Sequence, residues 1–188
     1  MGRSLLDVTL DNLARAPDEV LQTVYWEMEG DDPAVDARFQ KEEWFSATLL
    51  EWGPCGKLLV DGEETIGFAE YAPPSLFPRV AAFDAGRPSA DAVYLAYCFV
   101  APGHRGRGVG SELIRAVARD MLDRGYRALE SLGEHVWTGG WLLPGGFLAA
   151  GGFRVLNDHP TTALWRLEPA EAARPHRSAA AAAARPYA

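Results

Sequence analysis

The 188 residues are 48% hydrophobic, enough for one well-filled core, and the length is near that of a single domain. A formal net charge of −8 with a pI near 5.0 argues against a nucleic-acid binder, which carries a basic excess, and against docking on an anionic membrane surface. No window approaches the roughly 18 apolar residues of a membrane span, and Asp7 and Asp11 leave no secretory h-region. Cys55 and Cys98 fall in strand-like segments and no Cys/His spacing resembles a zinc site, so a reduced, cytoplasmic protein without a metal is expected.

The chain has no internal repeat. Its N-terminal region mixes helix and loop, and Asp32-Pro33 reads as a cap followed by Pro at the first helical position. The helix this opens runs from about Pro33 to Leu50, carries Phe39, Trp44, Phe45 and Leu49, and is stopped by Gly53-Pro54. A hairpin follows, with strands at 55–60 and 66–71 around Asp61-Gly62. Pro73, Pro74 and Pro78 mark a loop. Residues 92–100 form a near-continuous apolar run, suited to a central strand buried on both faces. An amphipathic helix occupies 108–124, with Leu113, Val117 and Met121 on one face and Gly125 as its stop. A strand at 127–132, a short helix at 144–150 and strands at 153–156 and 163–167 complete the order. The helical crossover makes strands 92–100 and 127–132 a parallel pair, so the sheet is mixed and the class is α+β. From Pro169 the chain is rich in Ala and Pro with few apolar anchors and reads as a disordered tail.

The informative stretch is the turn between the central strand and the amphipathic helix. Arg105-x-x-Gly108-x-Gly110 leads directly into the helix, whose first backbone N–H groups and dipole favour an anion. Glycines let a pyrophosphate approach the backbone, and Arg105 and Arg107 add charge-assisted donors. Gly106-x-Gly108-x-Gly110, with Glu130 twenty residues on, superficially matches a dinucleotide fingerprint. That fingerprint needs Gly where Ser111 stands, and a doubly wound fold does not begin with a hairpin. There is no P-loop Gly-Lys-Ser/Thr. The bland alternative is a structural glycine-rich turn with solvated arginines, in a protein that serves interactions only.

Arg105, Gly108 and Gly110 match all three specified positions of the pyrophosphate motif of the GCN5-related N-acetyltransferase (GNAT) superfamily, which this sequence resembles. Val100-Ala101-Pro102 before the motif and Gly152-Phe153 after a short helix are also typical of it. The resemblance covers roughly residues 55–167. It implies a three-layer αβα fold on a central mixed, mostly antiparallel sheet. It implies one acyl-CoA N-acyltransferase domain over 1–168, with an acidic acceptor-side half (1–90) and a CoA-binding half (91–168), followed by the tail 169–188. It implies an enzyme of the EC 2.3.1 class that moves an acetyl group from acetyl-CoA, as cosubstrate and without a metal, to a primary amine. The acceptor is then a small molecule or peptide, with no nucleic acid and no membrane as partner, and a homodimer is compatible. CoA would be held by residues 105–110 with Ser111, namely Arg105, Gly106, Arg107, Gly108, Val109 and Gly110, and pantetheine would pair with Cys98, Phe99 and Val100 where that strand splays from its neighbour. A backbone amide there would polarise the thioester carbonyl.

An amine protonated at neutral pH must lose a proton before attack. Glu70, whose face is shared by Ile66 and Phe68 by strand parity, is one candidate base. Tyr97 on the central strand and Glu130 on the next are the others, with Glu134 near the end of that strand. His104 reads as a turn residue and His135 as structural. Many family members carry a Tyr that protonates the leaving thiolate, and the equivalent residue here is Leu148, which keeps a catalytically degenerate CoA-binding module as the alternative. Residues 1–90 hold seventeen acidic and seven basic residues. Glu27, Glu29, Asp31, Asp32 and Asp36 among them make a cationic acceptor plausible by steering, although a solvated face explains them slightly better. Trp26, Trp44 and Trp52 read as pocket wall or core, and Pro73-Pro74 with Phe77 as a substrate-side lid.

Overall fold

The computed structural model describes residues 2–30 and 36–172, so Asp31, Asp32 and the Asp32-Pro33 cap lie outside the described residues. Among the described residues the hydrophobic pattern produces eight strands, β1 (Arg3–Asp7), β2 (Gly56–Asp61), β3 (Glu64–Ala72), β4 (Ala92–Val100), β5 (Ala128–Glu134), β6 (Leu143–Pro144), β7 (Arg154–Asp158) and β8 (Thr162–Leu167). The helices are α1 (Asp18–Leu21), α2 (Ala37–Glu51), α3 (Val109–Asp123), α4 (Gly145–Ala150) and α5 (Pro169–Ala172). One sheet runs β1-β2-β3-β4-β5-β8-β7, antiparallel except at β4/β5, while β6 pairs in parallel with β5. This is the mixed, mostly antiparallel sheet expected.

Two helical layers cover it. On one face α3 lays Val109, Leu113, Ile114, Val117 and Met121 against Leu59, Ala69, Tyr71, Val93 and Leu95. On the other, α1 and α2 set Val20, Leu21 and Phe45 against Leu58, Phe68, Tyr94 and Tyr97. Cys55 belongs to this second face and Cys98 packs on the α3 face, so the two thiols, both free, are divided by the sheet. At the end of α3, Gly125 N–H donates to the Leu122 carbonyl (3.0 Å) and Tyr126 N–H to that of Met121 (2.9 Å), the paired closure of a helix ended by a left-handed glycine.

Several expectations are corrected. Arg3–Asp7 is an edge strand, although the N-terminal region reads as helix and loop; its hydrogen bonds come from β2, fifty residues away. Helix α2 begins at Ala37, capped by Asp36, whose side chain accepts from Phe39 N–H (3.1 Å). Phe39, read as an anchor, is exposed, because the buried face of α2 carries Lys41, Phe45 and Thr48. The tail does not start at Pro169. Pro169–Ala172 is a short helix, with Pro169 buried and Ala172 packed on the α3-side core.

Two bulges decide which side chains face the site. One between β2 and β3 puts Ile66 on the α3 face, so Phe68 but not Ile66 shares a face with Glu70. In the other, Glu70 opposes Tyr97 and Tyr71 opposes Leu95, leaving Ala96 as the extra residue of β4. Ala96 and Tyr97 therefore both face the α1/α2 layer, whereas strict alternation would send Tyr97 towards α3.

Candidate active site

The central pair comes apart. β4 and β5 are paired only from Ala92/Ala128 to Tyr94/Glu130, although both strands run on. Ser131 Oγ donates to the Leu95 carbonyl (2.8 Å) at the fork. Since β8 holds the far edge of β5, β6 takes the edge that β4 abandons, at Gly133 and Glu134. The free backbone in the split belongs to the distal half of β4, as expected for 98–100.

Past the split the chain makes a 3-10 turn at Pro102–His104 and enters α3 through Gly108, whose φ of +82° suits glycine and which supplies no side-chain cap. The first intrahelical bond is from Glu112 N–H to the Gly108 carbonyl (2.9 Å), so the preceding amides of the first turn have no intrahelical acceptor. A Cβ built on Gly106 or Gly108 meets nothing within 4 Å, so open space lies before the turn. Arg105 Nε donates to the Val100 carbonyl (3.1 Å), which tethers its guanidinium beside the turn. Gly110 has a different reason: a Cβ there would lie 2.5 Å from Phe147, so this glycine lets α4 pack on the first turn of α3.

A cavity of about 550 Å³ joins these parts. Its walls include Tyr97–Val100 of β4, the turn residues His104, Arg105, Gly106 and Gly108, and the start of α3 at Val109, Gly110 and Ser111. Arg107 is exposed and does not line it. Beyond the turn, the walls are Glu19 and Val20 of α1, Trp137 and Trp141, and Leu142 to Pro144 with Phe147. The cavity thus passes through the split, from the α3 face to the α1/α2 face.

Behind Tyr97 lies a buried charged cluster. Lys41 Nζ is bonded to Glu27 Oε1, stands 3.3 Å from Glu70 Oε2, and lies 4.6 Å from the centre of the Tyr97 ring. Lys41 and Glu70 are fully buried; among the described residues Glu27 Oε2 and Glu70 Oε1 have no hydrogen-bond partner, and the Tyr97 hydroxyl faces Thr23 and the Trp26 backbone. Burial drives the Glu70 carboxyl well above the ordinary glutamate value; Lys41 opposes this and Glu27 adds to it. Burial, then the charges of Glu27 and Glu70, also push the Tyr97 hydroxyl up. Of this cluster only Tyr97 reaches the cavity wall.

The structure brings Glu70 and Tyr97 together and takes Glu130 away. Glu130 is buried and accepts from Ser89 N–H (2.7 Å), Ser89 Oγ (2.8 Å) and Arg166 Nη1 (2.7 Å), and it does not line the cavity. These bonds fix the loop before β4 to β8. Glu130→Gln should lower stability by about 2 kcal/mol, through lost charge-assisted bonds, in a denaturant titration, while ligand affinity at the cavity stays unchanged. A fall in that affinity would return Glu130 to the site.

Other candidates are also placed. Glu134 is engaged by Thr138 N–H (2.8 Å), and His135 Nε2 lies 2.9 Å from Asp158. Leu148 is fully buried in the α3-side core, off the cavity wall. Phe77 is no lid: it is buried, stacked on Trp44 at 5.1 Å. Trp26 is core, and Trp44 and Trp52 pack against it. Among the acidic residues proposed to steer a cation, Glu27 is buried against Lys41, Asp36 caps α2, and Glu29 is exposed but off the cavity wall. Sequence reading missed Lys41, Trp137 and Trp141. Lys41 was accessible through its spacing with Phe45 and Thr48 on one helical face. The tryptophans sit in a loop without periodicity.

The fold resembles solved structures at low sequence identity. The YncA structure from Salmonella typhimurium, solved with its cofactor acetyl-CoA, superposes with a TM-score of 0.60 at 15% identity, covering 90% of this chain and 95% of that one. PaiA N-acetyltransferase from Thermoplasma acidophilum, in complex with coenzyme A, gives 0.59 at 11% identity, covering 89% and 99%. The ribosomal-protein-S18-alanine N-acetyltransferase of Escherichia coli gives 0.53 at 12%, covering 89% and 94%. No curated protein sequence matches significantly. The profile of the acetyltransferase (GNAT) family matches residues 19–139, from α1 across the split strands to the Trp137 loop. That is more than half of the sequence and includes both sides of the cavity, and the chain belongs to this family of acetyltransferases.

Proposed function

We propose that the protein transfers an acetyl group from acetyl-CoA to a primary amine, with the cavity through the split sheet as its active site. The observation that carries this reading is the continuity of one cavity from the open first turn of α3, along the unpaired edge of β4, to Tyr97. The amides of Val109, Gly110 and Ser111 bind the pyrophosphate, and Arg105 adds charge. The free edge of β4 at Cys98–Val100 orients pantetheine. Acetyl-CoA supplies the acyl group: the amine nitrogen bonds to the thioester carbonyl carbon, the carbon–sulfur bond breaks, and the sulfur leaves as thiolate.

The amine's surplus proton passes through water at the Tyr97 wall to Glu70, which opposes Tyr97 on the neighbouring strand. A carboxylate whose affinity for protons is raised by burial is a better acceptor than a solvated one. Activity should therefore rise with pH through the Glu70 titration. Calorimetric titration with acetyl-CoA, CoA and NADH tests the binding step, and thiol release across an amine panel tests turnover. Micromolar binding of acetyl-CoA but not NADH is expected, with Tyr97→Phe and Glu70→Gln each lowering kcat by about a hundredfold. Absence of acetyl-CoA binding would refute the reading.

A second reading, a CoA-binding module without turnover, draws support from Leu148 in the core and from the burial of Glu70 away from the cavity. It predicts CoA binding with no thiol release on any amine.

A further inference from the structure

The part of the cavity on the α1/α2 face has no counterpart in the proposed CoA site. Its walls there include the rings of Tyr97, Trp137 and Trp141. Trp141 packs at 6.2 Å, edge-on, to Tyr97 and at 5.8 Å, tilted by 31°, to Tyr25. Trp137 lines the same space, from the loop that joins β5 to β6.

That loop is built rather than loose. Glu134 accepts from Thr138 N–H (2.8 Å) and Oγ1 (3.1 Å), and Trp137 Nε1 donates to the Leu142 carbonyl (3.2 Å), closing the loop on itself. Trp137 has spent its one donor inside the loop and offers the cavity only an apolar ring. Yet Trp137 is 51% exposed and Trp141 40%, a large apolar area to leave in water.

Aromatic rings of this kind take either a cation or another flat ring. Two observations decide between them. Lys41 already stands over Tyr97 and Arg79 over Tyr25, the latter 4.2 Å from the ring centre, so each ring has a face committed to a cation of the protein. Among the described residues Glu19 is the only carboxylate on the cavity wall, and Glu27, Glu29 and Asp36 do not reach it. A polyamine or other multiply charged acceptor would find one exposed carboxylate among the described wall residues, and ring faces of Tyr97 and Tyr25 already occupied by Lys41 and Arg79. A single amine on a flat apolar body fits better, with its ring between Trp137 and Trp141 and its nitrogen towards Tyr97.

We infer that the acceptor is an arylalkylamine, a primary amine on a short chain attached to an aromatic ring, and that Trp141 determines this specificity. The inference rests on the acyl-transfer reading above, and it concerns only the acceptor.

The test is calorimetric titration of phenethylamine, n-butylamine and spermidine into the full-length protein, with and without saturating CoA, followed by thiol release for each. Phenethylamine should bind about tenfold tighter than n-butylamine and show the higher kcat/KM. Trp141→Ala should raise the KM for phenethylamine about tenfold more than that for n-butylamine, and Trp141→Phe should restore most of the difference. Tighter binding of spermidine or n-butylamine, or an equal loss for every amine in Trp141→Ala, would overturn the inference while leaving acetyl-CoA binding intact. If acetyl-CoA failed to bind, the acyl-transfer reading would fall; phenethylamine binding to the CoA-free protein would still report on the aromatic site, and its absence there too would overturn the inference.

Discussion

Gly108→Glu should abolish measurable binding of acetyl-CoA. Two effects add. The backbone at Gly108 is left-handed, at φ +82°, which costs a side-chain-bearing residue about 1–3 kcal/mol. The new carboxylate would also enter the open space before the first turn of α3, where a pyrophosphate needs donors and positive potential. Gly108→Ala separates the two. Nothing lies within 4 Å of its Cβ, so it carries the strain without the charge and should weaken binding by about tenfold. The glutamate variant should lose at least about a hundredfold more by calorimetry, as expected of a like charge at close range. Equal affinities for the two variants would mean that the pyrophosphate lies elsewhere. Thermal melts check that the fold survives, since Leu113 and Val117, which hold α3 to the sheet, are untouched.

Lys41→Met should be the most destabilising single change on the acceptor face. Lys41 is the ammonium shared by Glu27 and Glu70, all three buried. Removing it leaves two carboxylates facing each other in the core, and losing one partner of a buried ion pair costs about 3–5 kcal/mol. For a domain of this size that lowers Tm by roughly 10 °C. The sign of the pH dependence follows from the protons bound. Glu70 already titrates above its unfolded value, and without Lys41 it loses the charge that opposes this, so the folded state holds more protons than the unfolded one. Stability of the variant should therefore climb as pH falls from neutral towards about 4.3, the unfolded glutamate value. Adding Glu70→Gln should recover part of the loss at neutral pH. A Tm unchanged at pH 7.5, measured by circular dichroism, would show that the cluster is hydrated and not a sealed ion network.

Much of this was legible in the sequence because its causes are local. The β4–turn–α3 unit rests on an apolar run, a glycine placed where the backbone must turn left-handed, and a 3.6-residue apolar stripe, all within 92–125. The β2/β3 hairpin rests on Asp61-Gly62, and the parallel β4/β5 pair on the helical crossover between them. The family followed from those same residues, through their resemblance to its motif.

The acceptor side was not legible, because its causes are long-range. Tyr97 faces Lys41 only because Ala96 is an extra residue in β4, and a bulge leaves no mark in alternation until the partner strand is known. Ile66 was assigned to the wrong face for the same reason. Glu130 and Glu70 are both buried strand glutamates, and chemistry alone does not separate them. Arg166, thirty-six residues from Glu130, ties one into the scaffold, while Lys41, twenty-nine residues from Glu70, holds the other behind the cavity wall. The sequence by itself determined the β2/β3 hairpin, the parallel β4/β5 pair and the glycine-rich turn into α3, since propensity, turn chemistry and periodicity act over a few residues. The tertiary structure alone decided which charges meet, which aromatic rings stay uncovered and where the cavity crosses the sheet, since those depend on contacts between residues far apart in the chain.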